Sequence, residues 1–186
     1  RLGKLKRKYP SLTIQTVPMS RTFSLSKREA DIAITIARPE EGRLTVRKLT
    51  DYSLHFYAAR HYLAEHGTPR SVADLERHCL ITYVQDLVFA DQLHFMPELY
   101  GPNYSRVECS GAVGQLETVR GGAGIGILHD YAAHIDPQLQ IVLPDTSFQR
   151  SYWIITHVDM RRLSRVRAVS DFIFAQAGAQ RSMFLL

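Results

Sequence analysis

Residues 109–128 read Cys-Ser-Gly-Ala-Val-Gly-Gln-Leu-Glu-Thr-Val-Arg-Gly-Gly-Ala-Gly-Ile-Gly-Ile-Leu. Ser110-Gly111 marks a helix start, because a small polar side chain accepts a hydrogen bond from an orphan backbone N–H. Val113, Leu116 and Val119 then recur at helical spacing on one face. Gly121-Gly122 stops the helix, since glycine enters the left-handed region without penalty. Ile125-Gly126-Ile127-Leu128 follows as a short buried strand. The order helix, glycines, strand is the reverse of a dinucleotide fingerprint, which runs strand, glycines, helix. Ile127 also stands where the third glycine of that fingerprint belongs, and no G-x-x-x-x-G-K-[ST] occurs in the chain. The glycines therefore predict a tight helix-to-strand turn in an α/β sheet. The end of interest is the other one, Ser110-Gly111-Ala112, where outward-pointing N–H groups are able to bind an anion.

The totals frame this turn. The chain has 186 residues, enough for one large or two small domains, and 45% apolar content, enough for a real core. No apolar run approaches a membrane span. The first residues, Arg-Leu-Gly-Lys-Leu-Lys-Arg-Lys-Tyr-Pro, are basic without an apolar stretch, so they do not read as a signal peptide. They begin at a helix without an initiator Met, which points to part of a longer protein. The net charge of +5 is concentrated at residues 1–8 and 161–167 and reads as solvated helix faces. There is no basic stripe interleaved with aromatics, as single-strand nucleic-acid binders need. Cys79 and Cys109 each border an apolar stretch and read as small core residues of a reducing compartment.

Enzyme and metal chemistry find little footing. His61/His66 and His129/His134 lie five apart, not at the i, i+4 spacing of a metal-binding helix face, and no H-E-x-x-H is present. No G-x-S-x-G elbow exists. His55 and His157 read as satisfied imidazoles on strands. No catalytic residue, metal ligand or cofactor is expected.

Along the chain, residues 2–9 predict a basic amphipathic helix ended by Pro10. Alternation at Leu12, Ile14 and Thr16 predicts a strand, 22–29 a helix, and the apolar run 30–37 a strand buried on both faces, together a βαβ unit. Further strands are expected at 43–49, 53–58, 79–84, 107–109, 139–143 and 152–156. Helices are expected at 60–66, from Ser71 through Leu75 with Asp74 completing a capping box, at 130–134, and from Ser164 with Val166, Val169, Phe172 and Ile173 inward. Residues 86–105 are irregular.

Several of these pieces together resemble one family. They are Leu2-x-x-Leu5-x-x-Lys8-Tyr9-Pro10-x-Leu12-x-Ile14, then Arg28-Glu-Ala-Asp-Ile-Ala-Ile34, then Arg60-His-Tyr-Leu-Ala-Glu-His-Gly67 with Asp74-Leu75. His78-Cys-Leu-Ile-Thr-Tyr83, Val119-Arg-Gly-Gly-Ala-Gly-Ile-Gly-Ile-Leu128 and Leu163-Ser-Arg-Val-Arg-Ala-Val-Ser-Asp-Phe-Ile173 continue the series. In this order and spacing they resemble the effector-binding domain of LysR-type transcriptional regulators, over nearly the whole chain. The resemblance implies an α/β, two-lobed, periplasmic-binding-protein-like (type 2) fold, with parallel-sheet lobes joined by two crossing strands. Lobe I would comprise 1–57 and 157–186, and lobe II 58–156. It also implies that the family's first strand and its helix-turn-helix lie outside this chain. Two positions depart from the family pattern: His129 stands where proline is common, and Gly111 where a polar side chain is common.

By position, the resemblance lines an effector cleft with Pro18, Met19, Thr35, Ile36 and Ala37 from lobe I. From lobe II it takes Tyr83, Val84, Gln85, Asp86, Ser110, Gly111 and Ala112, with His129 at the border. Strand ends and a helix N-terminus converging there suit a small carboxylate or aromatic acid. Asp86 keeps an anionic group at a distance or meets an amine. The implied role is small-molecule effector sensing and self-association, to a dimer or tetramer, in a cytoplasmic DNA-binding transcription regulator. DNA would be met only through the absent N-terminal part, with no membrane partner. The alternative is a periplasmic solute-binding protein of the same fold.

Overall fold

A computed structural model of the chain describes residues 2–18, 30–88 and 90–186. The chain divides into two compact units. Unit 1 gathers residues up to Thr50 with Ser151–Arg181, and unit 2 gathers Asp51–Arg150 with Ser182–Leu186. Strands β2 (Leu44–Ala59) and β6 (Leu139–His157) each run through both units. The hydrogen-bonded strand order is β1-β6-β2-β5-β3-β4.

Unit 2 carries the denser core. β3 (Cys79–Tyr83) pairs in parallel with β4 (Ser105–Cys109) on one side and β5 (Ile125–His129) on the other. β2 closes the far edge of β5 antiparallel, with Phe56 opposite Ile127. Helix α3 (Ala112–Arg120) covers this sheet with Val119, which is fully buried together with Phe56, Leu75, Leu80 and Ile125. Helix α2 (Arg60–His66) follows β2 directly. Ser71 and Asp74 form the predicted capping box, the Ser71 N–H donating to the Asp74 carboxylate at 3.0 Å, but the element it opens is a 3-10 turn, Val72–Arg77. The irregular stretch resolves into three further 3-10 turns, Gln85–Leu87, Asp91–Leu93 and Pro97–Tyr100. α4 (Asp130–Ala133) leaves β5 without an intervening loop.

The glycine turn is built as a Schellman motif. The Ala123 N–H donates to the Thr118 carbonyl (3.2 Å) and the Gly122 N–H to that of Val119 (3.0 Å). Gly122 alone takes the left-handed conformation, at φ 80°, while Gly121 stays right-handed. Gly124 has a different reason: a Cβ there would lie 2.1 Å from the Cys79 carbonyl oxygen, so only glycine lets β5 enter beside β3.

Unit 1 departs from the sequence reading in two places. Residues 12–16 form no strand, because no described strand lies beside them to complete a ladder. The predicted helix at 22–29 falls outside the described residues. β1 is shorter than expected, Ile32–Thr35, and stands at the end of the strand order rather than buried on both faces. Its partner is β6, antiparallel, with Ile34 opposite Ile154, and Ile34 is 50% exposed. The βαβ unit predicted here is therefore not among the described elements. α1 (Leu2–Lys8) contributes the fully buried Leu5, and α5 (Ser164–Gly178) contributes Val166.

The pairs 43–49 with 53–58, and 139–143 with 152–156, each expected as two strands, are single strands of sixteen and nineteen residues. Charged and polar residues at their centres interrupted the apolar pattern without interrupting the ladder. Within β6, Leu143, just before Pro144, takes a left-handed φ of 52°. The two cysteines are free thiols. Cys79 is opposite Ser105 and Cys109 opposite Tyr83, so the two stand four residues apart along neighbouring strands, roughly 13 Å and beyond disulfide reach.

Candidate functional site

Unit 2 brings most of the predicted effector residues together through strand register. Tyr83 is the last residue of β3 and lies opposite Cys109, the last residue of β4. The Val84 N–H extends the pairing by donating to the Cys109 carbonyl at 3.1 Å. Both strands therefore end at the same level. The turn Gln85–Leu87 leaves one and the segment Ser110-Gly111 leaves the other, so Tyr83, Val84, Gln85 and Asp86 stand beside Ser110, Gly111 and Ala112. Gln85, Asp86 and Ser110 are exposed, while Tyr83, Val84, Gly111 and Ala112 are half-buried.

The helix start there differs from the sequence reading in one atom-level respect. The cap residue is Gly111, extended at φ −167°, which has no side chain of its own to cap α3. The Gln115 N–H already bonds the Gly111 carbonyl, which leaves the amides of the first turn without an intrahelical acceptor. Such an end carries a partial positive charge and favours an anion by ~0.3–1 kcal/mol. Behind it lies a small cavity of about 30 Å³, lined by Thr82, Tyr83, Met96 and Gln115. The Thr82 hydroxyl is buried with no hydrogen-bond partner among the described residues.

His129 ends β5, the parallel neighbour of β3, and the register Leu80 to Ile125 puts it at the level of Val84. It stacks on Tyr52 at 5.1 Å between ring centroids and faces Tyr131 at 5.3 Å. Burial pushes its pKa down to about 4, against the pull of the neighbouring Asp130. In unit 1, Thr35 ends β1 and its hydroxyl donates to the Ala37 carbonyl at 2.7 Å, so Thr35, Ile36 and Ala37 form one turn. Pro18 is exposed, and Met19 lies outside the described residues.

The sequence reading missed a polar centre in unit 2. Ser53, His55 and Tyr57 alternate along β2 and so share one face. All three reach the carboxylate of Asp130, which is 1% exposed. The Ser53 hydroxyl donates to it, His55 Nδ1 lies at 2.9 Å and the Tyr57 hydroxyl donates at 2.8 Å. Burial and the bond to Asp130 push the Tyr57 phenol well above its ordinary value. Ser53 also accepts the Leu186 N–H at 3.0 Å. A serine, a histidine and an aspartate meet here, yet Ser53 gives its proton to Asp130 rather than to His55, so the imidazole does not activate the hydroxyl. The signal was legible: three polar residues at period two inside an apolar strand require a polar partner opposite. His157, at the end of β6, lies 3.4 Å from Asp159. Among the described residues no group of three or more His, Cys, Asp or Glu is placed to hold a metal, and no helix is long and apolar enough to cross a membrane.

Known structures share this architecture. The regulatory domain of CrgA, a LysR-type transcriptional regulator from Neisseria meningitidis, superposes with a TM-score of 0.78 at 21% identity, covering 95% of this chain and 89% of that one. The effector domain of AmpR of Pseudomonas aeruginosa gives 0.75 at 16% identity, covering 98% and 89%. The fold is thus the type 2 periplasmic-binding-protein-like one. The LysR substrate binding domain profile matches residues 1–178, and the chain belongs to that family. In sequence, 79 residues are 33% identical to the HTH-type transcriptional regulator CrgA of N. meningitidis serogroup B, covering 42% of this chain and 26% of that protein. The matched stretch thus spans about a quarter of that relative. The periplasmic alternative draws no support from these comparisons.

Proposed function

We propose that this chain senses a small-molecule effector and mediates self-association for a bacterial DNA-binding transcription regulator. The observation that carries the reading is the level ending of β3 and β4, which sets residues 83–86 beside the start of α3 at 110–112. In that arrangement the amides after Gly111 receive a carboxylate, Ser110 and Gln85 supply further hydrogen bonds, and Tyr83 offers an apolar face. Asp86 stands to the side of the anion. The effector is a small carboxylate or aromatic acid, with residues 1–57 and 157–186 as lobe I and 58–156 as lobe II.

On this reading the protein acts in the cytoplasm by binding rather than by catalysis. Effector occupancy biases one lobe arrangement over another and so the dimer or tetramer that presents the DNA-binding parts. The named relatives are transcription regulators, which fits a role in which DNA is met through a helix-turn-helix outside these residues. A thermal-shift screen of the full-length protein against small carboxylates and aromatic acids tests the proposal. At least one compound raises the melting temperature, and Gln85→Ala and Ser110→Ala reduce both that rise and regulation in cells. If no compound shifts the melting temperature and both variants regulate normally, the site is wrong. Light scattering returns a dimer or tetramer, and a strict monomer contradicts the self-association.

A further inference from the structure

The charge at residues 161–167, which reads in sequence as a solvated helix face, is gathered by the fold around a cavity. Unit 1 contains an open cavity of about 510 Å³ between a sheet face and a helix. Thr45 and Arg47 come from β2, and Ile154 and Thr156 from β6, each pair at the two-residue period that keeps side chains on one face. Opposite them, Val166 with Ser170 and Arg167 with Asp171 come from α5 at the four-residue period of one helix side. Arg161 and Arg162 complete the rim from the 3-10 turn Met160–Arg162.

Four guanidiniums thus meet one carboxylate. Asp171 is engaged by Arg47, at 3.8 Å, and Arg47 is further held over the Phe174 ring at 4.0 Å. Among the described residues, Arg161, Arg162 and Arg167 have no ion-pair partner. These three exposed arginines line one rim, and an anion shared between them would offset their mutual repulsion. The floor is apolar, with Ile154 at 2% and Val166 at 3% exposure. The volume lies in the range of small-ligand sites, ~300–1,000 Å³.

We infer that this cavity is a binding site for a small polyanion, a polycarboxylate or a phosphorylated metabolite, held by Arg161, Arg162 and Arg167 over the Ile154–Val166 floor. It lies wholly within unit 1, apart from the strand-end residues of unit 2 on which the effector reading rests, and it stands whether or not that reading does. Guanidiniums suit it because their forked donors match carboxylate and phosphate oxygens bidentately. Thr156 and Ser170 hydroxyls are placed along the wall for additional bonds.

Titration calorimetry of the full-length protein with citrate and with inorganic pyrophosphate, at fixed ionic strength, tests the site. Saturable binding is expected for at least one of them, and the better probe distinguishes a carboxylate from a phosphate ligand. Arg161→Gln and Arg167→Gln each weaken that binding by about 10-fold or more, the size expected for a charge-assisted hydrogen bond. Ser170→Phe, which fills the cavity without changing charge, abolishes it. Arg165→Gln, a neighbouring exposed charge outside the cavity, changes it by less than about 2-fold, as a screened surface charge should. Absence of saturable binding by either probe overturns the inference. So does an Arg165→Gln loss as large as that of Arg167→Gln, or binding that survives Ser170→Phe. A mixed-sequence DNA duplex whose binding falls with Arg167→Gln, while citrate and pyrophosphate do nothing, would reassign the surface to nucleic acid.

Discussion

The two units use polar residues in opposite ways. In unit 2 the polar centre is sealed: Asp130 is 1% exposed and accepts from Ser53, His55 and Tyr57 at once. In unit 1 the polar residues are open: three guanidiniums face a cavity of about 510 Å³. Their strands differ in the same sense. β5 lies between two strand partners and buries Ile125 to 1%, whereas β1 has one partner among the described strands and leaves Ile34 at 50%. A sealed polar group contributes to the stability of its unit because every donor needs its acceptor, and an open one is free to meet a ligand.

The largest effect should come from breaking the sealed centre. Asp130→Ala leaves three buried donors without an acceptor and is expected to lower stability by ~3–5 kcal/mol in denaturant unfolding. Acid should act nearly as strongly on the same unit. His129 ordinarily titrates near 6.5 and is held to about 4 in the fold, so between those values the unfolded chain binds the extra proton. Stability is full above about pH 6.5 and falls as pH drops toward 4, by roughly 3 kcal/mol. His129→Phe, which keeps the ring stack, should flatten that part of the pH profile. A profile unchanged by the substitution would remove His129 from the account.

Truncation separates the two units. Ile125→Ala is expected to cost ~2–5 kcal/mol, as for a buried aliphatic. Ile34→Ala, at an exposed edge, is expected to stay within about 0.5–1 kcal/mol. Equal losses would mean that β1 is as enclosed as β5. The smallest effect is expected at Thr82. Its buried hydroxyl has no partner among the described residues, so Thr82→Val should raise stability by about 1 kcal/mol. A loss instead would show that the hydroxyl is satisfied in solution.

Unit 2 was more legible in sequence than unit 1, for a physical reason. Its strands and helix carry local signals: Schellman glycines at 121–122 and a capping box at Ser71 and Asp74. The apolar face predicted for α3 holds at Val119 but not at Val113, which is 75% exposed while Gln115 is buried. The cap residue moved from Ser110 to Gly111. The long strands β2 and β6 were read as halves, since hydrophobic patterning reports burial and falls silent where a strand crosses exposed ground. Alternation at 12–16 predicted a strand that has no ladder partner, because alternation reports a propensity and pairing is non-local. The Asp130 centre was overlooked because Asp130 lies over seventy residues in sequence from Ser53, His55 and Tyr57. The arginine cavity was hidden for the same reason: Arg47 and Arg167 meet only through the packing of a helix on a sheet.

The central claim is that the strand ends and the start of α3 hold the effector. Amide NMR of the full-length protein, titrated with whichever acid raises its melting temperature, tests it most directly. The account predicts that the largest shifts fall on Ala112, Val113 and Gly114, with smaller ones at Val84 and Gln85, and that Ser110→Asp, which places a negative charge at the same spot, abolishes them. Shifts confined to other regions, or binding undiminished by Ser110→Asp, would contradict it.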